Sequence, residues 1–208
     1  MAILKPRILA DLPVSNELVL DEEAYLIDQH YQDAAADRTQ TERVCFRQAI
    51  FSKCDFSTVN FEQFECLDVI FENCDLANID WQKSAFHRVV FKNCRLIGSN
   101  FAASVLHDCV FDNCLMTYTS FSFSKFKNCQ FAGSQLANSE FSELTYTGLE
   151  FQDCGLTATN WAGTSMAKLD FSSSKFDYIS FNMADIRGLK VNAGQAISLA
   201  ASFGINVV

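Results

Sequence analysis

The sequence predicts an all-β protein: a right-handed quadrilateral parallel β-helix of about seven to eight coils, followed by a short C-terminal α-helix. Every fifth residue from Phe46 to Ile186 is large and apolar, over 29 consecutive positions of which 17 are Phe. A period of five fits neither the 3.6-residue repeat of a helix nor the two-residue repeat of a strand. The chain must therefore turn once per repeat, as stacked-repeat proteins do.

A second period, of 20 residues, gives the number of repeats in one coil. Sorted by twenties, the large positions form one series that is all Phe, from Phe51 to Phe171. Another series, from Phe61 to Phe181, is all aromatic. Four five-residue sides therefore complete one coil, and coils that rise about 4.8 Å each build a rod roughly 35 Å long.

The cysteines follow the same register. Two places before each large residue lies a small or medium one that is also predicted to point inward, and seven of the nine cysteines occupy this position: Cys54, Cys74, Cys94, Cys109, Cys114, Cys129 and Cys154. Cys66 takes a large inward position, and Cys45 points outward. Free Cys packs as a small hydrophobe, and a reducing cytosol disfavours disulfides. Packing is therefore favoured over redox sensing or metal binding.

The chain is predicted to be one structural domain in three parts. Residues 1–43 form an N-terminal capping segment with a degenerate first coil, because Leu26 and Tyr31 still keep the five-residue phase. Residues 44–190 form the β-helix. Residues 191–208 form a C-terminal helix and tail, since both ends of a repeat stack need a cap.

The C-terminal helix has recognisable boundaries. Asn192 and Gln195 resemble a capping box, and Gly204 is a typical residue at which a helix ends. We therefore predict a helix from about Ala193 to Phe203. It is apolar nearly all round, so we expect a homodimer through the C-terminal ends, with lidding of a monomer as the alternative. The residues predicted at the dimer interface are Ile197, Leu199, Ala200, Phe203, Ile205 and Val207.

No cluster in the sequence supports catalysis or metal chemistry. His107, Cys109 and Cys114 are close in sequence, but the register points His107 outward and the two cysteines inward. His87 and His107 lie 20 residues apart on one outer edge, where a solvated basic stripe is favoured over a two-histidine metal site. Glycine-rich phosphate loops and nucleophile elbows are also missing from the sequence. We predict no catalytic residue, no cofactor and no metal.

One outer column is not polar. It consists of the β-branched residues Ile50, Ile70, Val90 and Val110. A bare column of this kind would favour association. We expect the preceding segment from Ile8 to Leu20 to cover it, with a partner protein as the alternative.

The net charge is −9, but the charge is uneven along the chain. Residues 1–43 and residues 44–80 each carry a net charge of −5, residues 81–130 carry two acids against six bases, and residues 131–186 return to −5. No run of 18 apolar residues would cross a membrane, and the first 14 residues lack the apolar core of a signal peptide. We expect a cytoplasmic protein that does not bind membranes.

The repeat units resemble those of pentapeptide-repeat proteins, in which a small residue and Asp or Asn precede Leu or Phe. Two units that show this are residues 74–78 (Cys-Asp-Leu-Ala-Asn) and residues 99–103 (Ser-Asn-Phe-Ala-Ala). Chain length, acidity and the short tail narrow the resemblance to the Qnr-like and MfpA-like quinolone-resistance proteins. The repeat has no phase break between residues 46 and 186, which resembles the loopless chromosomal type.

The resemblance implies a protein that binds DNA gyrase or topoisomerase IV by imitating duplex DNA, without binding nucleic acid itself. Duplex DNA carries one charge per about 1.7 Å, so 35 Å of duplex would carry roughly 20 negative charges, and mimicry by this chain would be partial. An interaction scaffold or immunity protein with another partner is the alternative. The acidic residues predicted to bind the partner are Asp55, Glu62, Glu65, Asp68, Glu72, Asp75, Asp80, Glu140, Glu143, Glu150, Asp153 and Asp170.

Overall fold

The computed structural model describes residues 2–21, 23–36, 40–57, 59–62 and 64–206, with the backbone alone for residues 40–42, 60 and 62. Within these residues the chain forms eleven strands and one helix. The elements are β1 (Val14–Ser15), β2 (Tyr25–Ile27), β3 (His30–Gln32), β4 (Gln40–Glu42), β5 (Cys45–Ser52), β6 (Asn60–Glu62), β7 (Glu65–Glu72), β8 (Ala85–Lys92), β9 (Val105–Asp112), β10 (Lys125–Ala132), β11 (Thr145–Gln152) and α1 (Ala193–Ser202).

The strands stack in parallel with a register of 20 residues. Six eight-residue strands, β5 and β7 to β11, pair in sequence order, and each residue lies beside the residue 20 positions further along the chain. Single bridges with the same spacing run along the other sides, from Asp55 to Lys175 and from Asp80 to Ser180. The predicted fold class is confirmed: the chain is a parallel β-solenoid, about six turns of which carry long strands.

The inward residues form four columns, and we name each side of the solenoid for its first member: the Phe46, Phe51, Phe56 and Phe61 sides. The Phe51 column shows the packing most clearly. From Phe51 to Phe151, successive rings lie 4.6 to 5.1 Å apart and within 13° of parallel. This separation matches the rise of one coil, so the all-Phe column stacks face to face along the axis.

The small inward residues satisfy backbone carbonyl groups of the preceding coil. Ser99 Oγ donates to the carbonyl oxygen of Leu76 at 2.6 Å, and Cys94 Sγ lies 3.4 Å from that of Phe71. All nine cysteines are free, eight of them buried and Cys45 partly exposed. Burial raises the pKa of the Cys66 thiol, which keeps it protonated and unreactive. The packing interpretation therefore agrees with the structure.

The helix α1 caps the last coil in the predicted place. The side chain of Asn192 accepts a hydrogen bond from the Gln195 N–H, and the Gln195 side chain accepts one from the Asn192 N–H. The buried Gln195 amide also donates to the carbonyl oxygens of Phe171 and Ser174, at 2.8 and 2.7 Å. Gln195 of α1 thus donates hydrogen bonds to backbone carbonyl groups of the last coil. No helix in the described part of the chain is long and apolar enough to cross a membrane.

Candidate functional site

The acidic residues predicted to bind a partner are spread over all four sides of the solenoid. A residue belongs to the side of the inward residue that lies within two positions of it. The Phe51 side carries Glu72, Glu150, Asp153 and Asp170; the Phe56 side Asp55 and Asp75; the Phe61 side Asp80, Glu140 and Glu143; and the Phe46 side Glu65 and Asp68. The side chain of Glu62 lies outside the described residues. The acids therefore do not form one continuous face.

Some of these acids are paired with residues of the next coil. Asp75 accepts hydrogen bonds from Arg95 Nη1 at 2.9 and 3.0 Å, and Glu72 forms an ion pair with Lys92 at 2.8 Å. Glu140 accepts a hydrogen bond from the Asn160 amide at 2.7 Å. Pairs across neighbouring coils reduce the charge that a partner would meet at Asp75 and Glu72.

Other acids are exposed and held in fixed orientations. Asp55, Asp80 and Asp170 each accept a hydrogen bond from the backbone N–H two residues further on, at 2.9 to 3.1 Å. Hydrogen bonds from Ser172 lower the pKa of Asp170. Hydrogen bonds of this kind form Asx-turns, which orient the carboxylates. These groups therefore need little reorganisation to contact a cationic partner.

The Phe61 side has the simplest acidic surface. Asp80 and Glu143 are exposed and Glu140 is half-buried, and between Ile79 and Met183 the sequence of this side contains only one base, Lys83. Asp80 and Glu140 are three coils apart, or about 14 Å at the usual strand spacing. Duplex DNA would place roughly eight charges over that length. The surface is acidic but much sparser than DNA.

An N-terminal arm, residues 2–13, lies along the solenoid beside the aliphatic column. The Leu4 N–H donates to Asp108 Oδ1 at 3.2 Å, the Arg7 N–H donates to Asp68 Oδ1 at 2.9 Å, and the carbonyl of Pro13 accepts from the His30 N–H at 2.9 Å. The three-residue step from Leu4 to Arg7 thus spans the two coils between Asp108 and Asp68. An extended chain advances about 10 Å over three residues, which matches two coil rises.

The arm lies beside the first residue of the aliphatic column, because residues 9–13 line a surface cavity together with Ile50. Ile50, Ile70, Val90 and Val110 are half-buried, as are Gln130 and Glu150 further along the same column. The sequence prediction that the segment from Ile8 to Leu20 covers this column is partly wrong. Leu18 and Leu20 are buried in the core, and Val14 and Val19 are exposed.

Asp68 does not belong to the exposed acidic surface, and this prediction is wrong. It is 5% exposed and forms two hydrogen bonds with Arg88, from Nε to Oδ1 at 2.6 Å and from Nη2 to Oδ2 at 2.7 Å. Burial raises the pKa of Asp68, but the hydrogen bonds from Arg88 and the Arg7 N–H outweigh it, so the pKa lies below its ordinary value. The sequence pattern gave no sign that the arm would bury this pair.

Two histidines and a buried acid lie beside that ion pair. The rings of His87 and His107 stack at 4.6 Å and 9°, as expected from their spacing. Asp108, which sequence reasoning missed, is buried next to them: its Oδ2 is 3.3 Å from His107 Nε2 and 4.0 Å from His87 Nε2. Cys109 is buried in the core, so the histidines and cysteines point apart as predicted.

The predicted dimer interface is only partly exposed. Ile197, Phe203 and Ile205 are exposed, and Ala200 is half-buried. Leu199 is buried with the core cluster, so its assignment to an interface is wrong. Val207 lies outside the described residues. Exposed apolar residues therefore remain on α1 and in the segment that follows it after the helix has capped the last coil.

Comparison with known proteins gives one family match. A family model described as a pentapeptide repeat region matches residues 84–154 and 124–198, more than half of the chain. A search of curated proteins finds no significant match.

Solved structures with similar folds have low sequence identity to the chain. They include full-length QnrB1, a plasmid-mediated fluoroquinolone resistance protein, at 16% identity and a TM-score of 0.45, with 94% of this chain and 99% of that chain covered. A trypsin-treated form of QnrB1 matches at 19% identity and a TM-score of 0.43, with 95% of this chain and 100% of that chain covered. A third match is HetL, a pentapeptide repeat protein involved in heterocyst differentiation regulation in Nostoc sp. strain PCC 7120. Its sequence identity is 12% and its TM-score is 0.42, with 81% of this chain and 87% of that chain covered.

Proposed function

Since the chain belongs to the pentapeptide repeat family, we propose that it is a non-catalytic protein that binds DNA gyrase or topoisomerase IV through its acidic exterior. In this proposal the rod imitates duplex DNA in the basic channel of the enzyme, and so protects it from quinolones or modulates its activity. The choice of enzyme rests on the resemblance of the repeat sequence to Qnr-like and MfpA-like proteins. The observation that carries the proposal is the set of exposed, oriented carboxylates on the solenoid.

The packed interior supports a binding function over catalysis. In the described coils the inward columns are filled by buried apolar side chains, including stacked rings such as Phe91 on Phe111 at 4.8 Å. A substrate needs a concave site lined by groups that converge on it. Binding through the outer surface is the function that such a rod can best perform.

The Phe61 side is the best candidate for the partner surface. Asp80, Glu140 and Glu143 share it with a single base. In contrast, Asp75 on the Phe56 side and Glu72 on the Phe51 side are paired with Arg95 and Lys92. An acidic surface would attract a DNA-binding channel mainly by raising the association rate, and salt would weaken this attraction.

A scaffold or immunity protein with a different partner is the second candidate. It is favoured by the spread of acids over four sides and by their pairing with bases one coil away. In that case the acids mainly keep a stacked rod soluble, and the partner need not bind DNA.

We also propose a homodimer through the C-terminal end. The exposed side chains of Ile197, Phe203 and Ile205 support it, because exposed apolar residues at the end of a rod favour association. The mass of the purified protein in solution tests this proposal: a value near twice the 23.3 kDa of one chain supports it. A monomer mass at every concentration would contradict it.

Supercoiling by purified gyrase in the presence of a quinolone tests the proposed function. We expect the protein to change supercoiling or drug-induced cleavage, and the triple variant Asp80→Lys, Glu140→Lys and Glu143→Lys to lose this effect. Asp177→Lys is the matched control, because Asp177 is an exposed acid on the Phe56 side. An unchanged reaction with the wild-type chain, or a fully active triple variant, would overturn the proposal.

A further inference from the structure

His87, His107 and Asp108 bring three potential metal ligands together on the Phe46 side. His87 lies on β8 and His107 beside it on β9, since the 20-residue register pairs these two positions. Asp108 follows His107 with a φ of 55°, in the left-handed region. One ligand atom from each residue lies within 4.8 Å of the other two.

The carboxylate of Asp108 is the unusual member of this cluster. Oδ1 accepts the hydrogen bond from the Leu4 N–H at 3.2 Å, but Oδ2 is buried with no hydrogen-bond partner among the described residues. A buried, unpaired polar atom is costly and rare in native structures, and an ion that is not yet placed is one recurring explanation. Oδ2 is directed at the two imidazole rings.

We propose that His87 Nε2, His107 Nε2 and Asp108 Oδ2 bind a divalent transition metal, for which Zn²⁺ is the best-suited ion. Zinc takes His nitrogen and carboxylate oxygen at about 2.0 to 2.2 Å, so two ligands in a tetrahedral site lie roughly 3.4 Å apart. The distance from His107 Nε2 to Asp108 Oδ2, 3.3 Å, already fits, whereas His87 Nε2 is 4.0 Å from the same oxygen. Because the two rings stack in parallel at 4.6 Å, the stack must open on binding so that both nitrogens face one ion.

The surroundings supply an outer shell and an open position. The Leu4 N–H fixes the second carboxylate oxygen, as outer hydrogen bonds do in metal sites. The side chains of His87 and His107 are 40% and 31% exposed, so a water molecule can complete the coordination. Three protein ligands and one solvent ligand are typical of open zinc sites.

Arg88 is the charged group that opposes the metal. Its Nη1 lies 3.0 Å from His87 Nε2, so this contact must be given up when the metal binds. Its charge is balanced by Asp68 through two hydrogen bonds. Zn²⁺ binds the neutral form of imidazole, so metal binding at His87 competes with protonation of the same nitrogen.

An ion pair between His107 and Asp108 would account for the same 3.3 Å distance without a metal. The two explanations differ in what they require of His87. An ion pair needs His107 alone, whereas the metal site also needs the ring stacked on it. Loss of metal binding in His87→Ala therefore separates the two.

Calorimetric titration of the full chain, after removal of metal with a chelator, tests the site with Zn²⁺ and Co²⁺ as probes. We expect one metal per chain, visible absorption of tetrahedral Co²⁺ and no response to Mg²⁺. His87→Ala and His107→Ala should each weaken Zn²⁺ binding by at least about tenfold, the loss typical of altered metal-site shells. His30→Ala is the matched control, because the third histidine instead contacts Ser52 Oγ at 2.9 Å.

Asp108→Asn should weaken Zn²⁺ binding as well. Because Asp108 also holds the arm through the Leu4 N–H, a loss in this variant could reflect a displaced arm. The double variant His87→Ala and His107→Ala removes two ligands and leaves this arm contact in place. Both partly exposed histidines can be replaced while the far-ultraviolet circular dichroism of the fold is monitored. The proposal is overturned if the wild-type chain binds no Zn²⁺, or if it binds Zn²⁺ as well after both histidines are replaced.

Discussion

Arg88 and Asp68, one coil apart, form an ion pair with two hydrogen bonds of 2.6 and 2.7 Å beneath the N-terminal arm. The Arg7 N–H of the arm donates to the same carboxylate. The pair therefore joins three segments, β7, β8 and the arm, although the repeat pattern would place both residues on the outside.

Arg88→Met should destabilise the protein strongly, because it leaves the Asp68 carboxylate buried without its charge partner. Removal of one partner from a buried pair costs about 3 to 5 kcal/mol. Chemical denaturation measures the change in the free energy of unfolding. Arg95→Met is the control, since the partly exposed pair of Arg95 with Asp75 also joins neighbouring coils and should contribute about 0 to 1 kcal/mol. Equal losses in the two variants would contradict the account.

The same pair predicts a loss of stability in acid. The folded-state pKa of Asp68 lies below its ordinary value, so the stabilising effect is complete above the unfolded pKa of about 3.9. It is lost as the pH falls from there through the lower folded value. The free energy of unfolding, measured from pH 5 downward, should fall less steeply for Asp68→Asn than for the wild type. Identical slopes would show that Asp68 does not contribute.

The Phe ladder should dominate the stability of the core. Phe111 is fully buried between the rings of Phe91 and Phe131, at 4.8 and 4.6 Å. Phe111→Ala should cost about 3 to 5 kcal/mol, because the stack closes poorly over the space left behind. Phe123→Ala is the control: Phe123 is 65% exposed, and its replacement should change the free energy of unfolding by no more than about 0.5 kcal/mol. A small effect at Phe111 would be incompatible with a packed ladder.

Gln195→Ala should weaken the cap on the last coil. The change leaves the Ser174 carbonyl without its donor, removes one of the two donors to the Phe171 carbonyl, and removes half of the capping box. An unsatisfied buried group costs about 1 to 3 kcal/mol. The rate of amide hydrogen exchange should rise in the last coil and in α1. Gln152→Ala is the control: Gln152 is exposed, and its replacement should leave these exchange rates unchanged. Unaltered exchange in the variant would show that α1 does not hold this end.

Much of the fold could be predicted from the sequence because the repeat is local. Each inward residue is fixed by its neighbours two and five positions away, and the 20-residue spacing of Phe51, Phe71 and Phe91 gives the register directly. The capping box at Asn192 is equally local, and the predicted helix boundaries agree with α1 within one residue.

The arm and its contacts could not be predicted in this way. Leu4 and Asp108 are 104 positions apart, and Arg7 and Asp68 are 61 apart. No periodicity links such distant residues. The burial of Asp68, Arg88 and Asp108 depends on these contacts, so sequence reasoning treated Asp68 as surface charge and overlooked Asp108 beside the histidines.

Competition between the protein and a short DNA duplex for purified gyrase tests the central claim most directly. If the acidic solenoid imitates DNA, the duplex should displace the bound protein, added salt should weaken the complex, and the variant with Lys at positions 80, 140 and 143 should bind poorly. A gyrase complex that forms equally well with and without saturating duplex, or no complex at all, would contradict the claim.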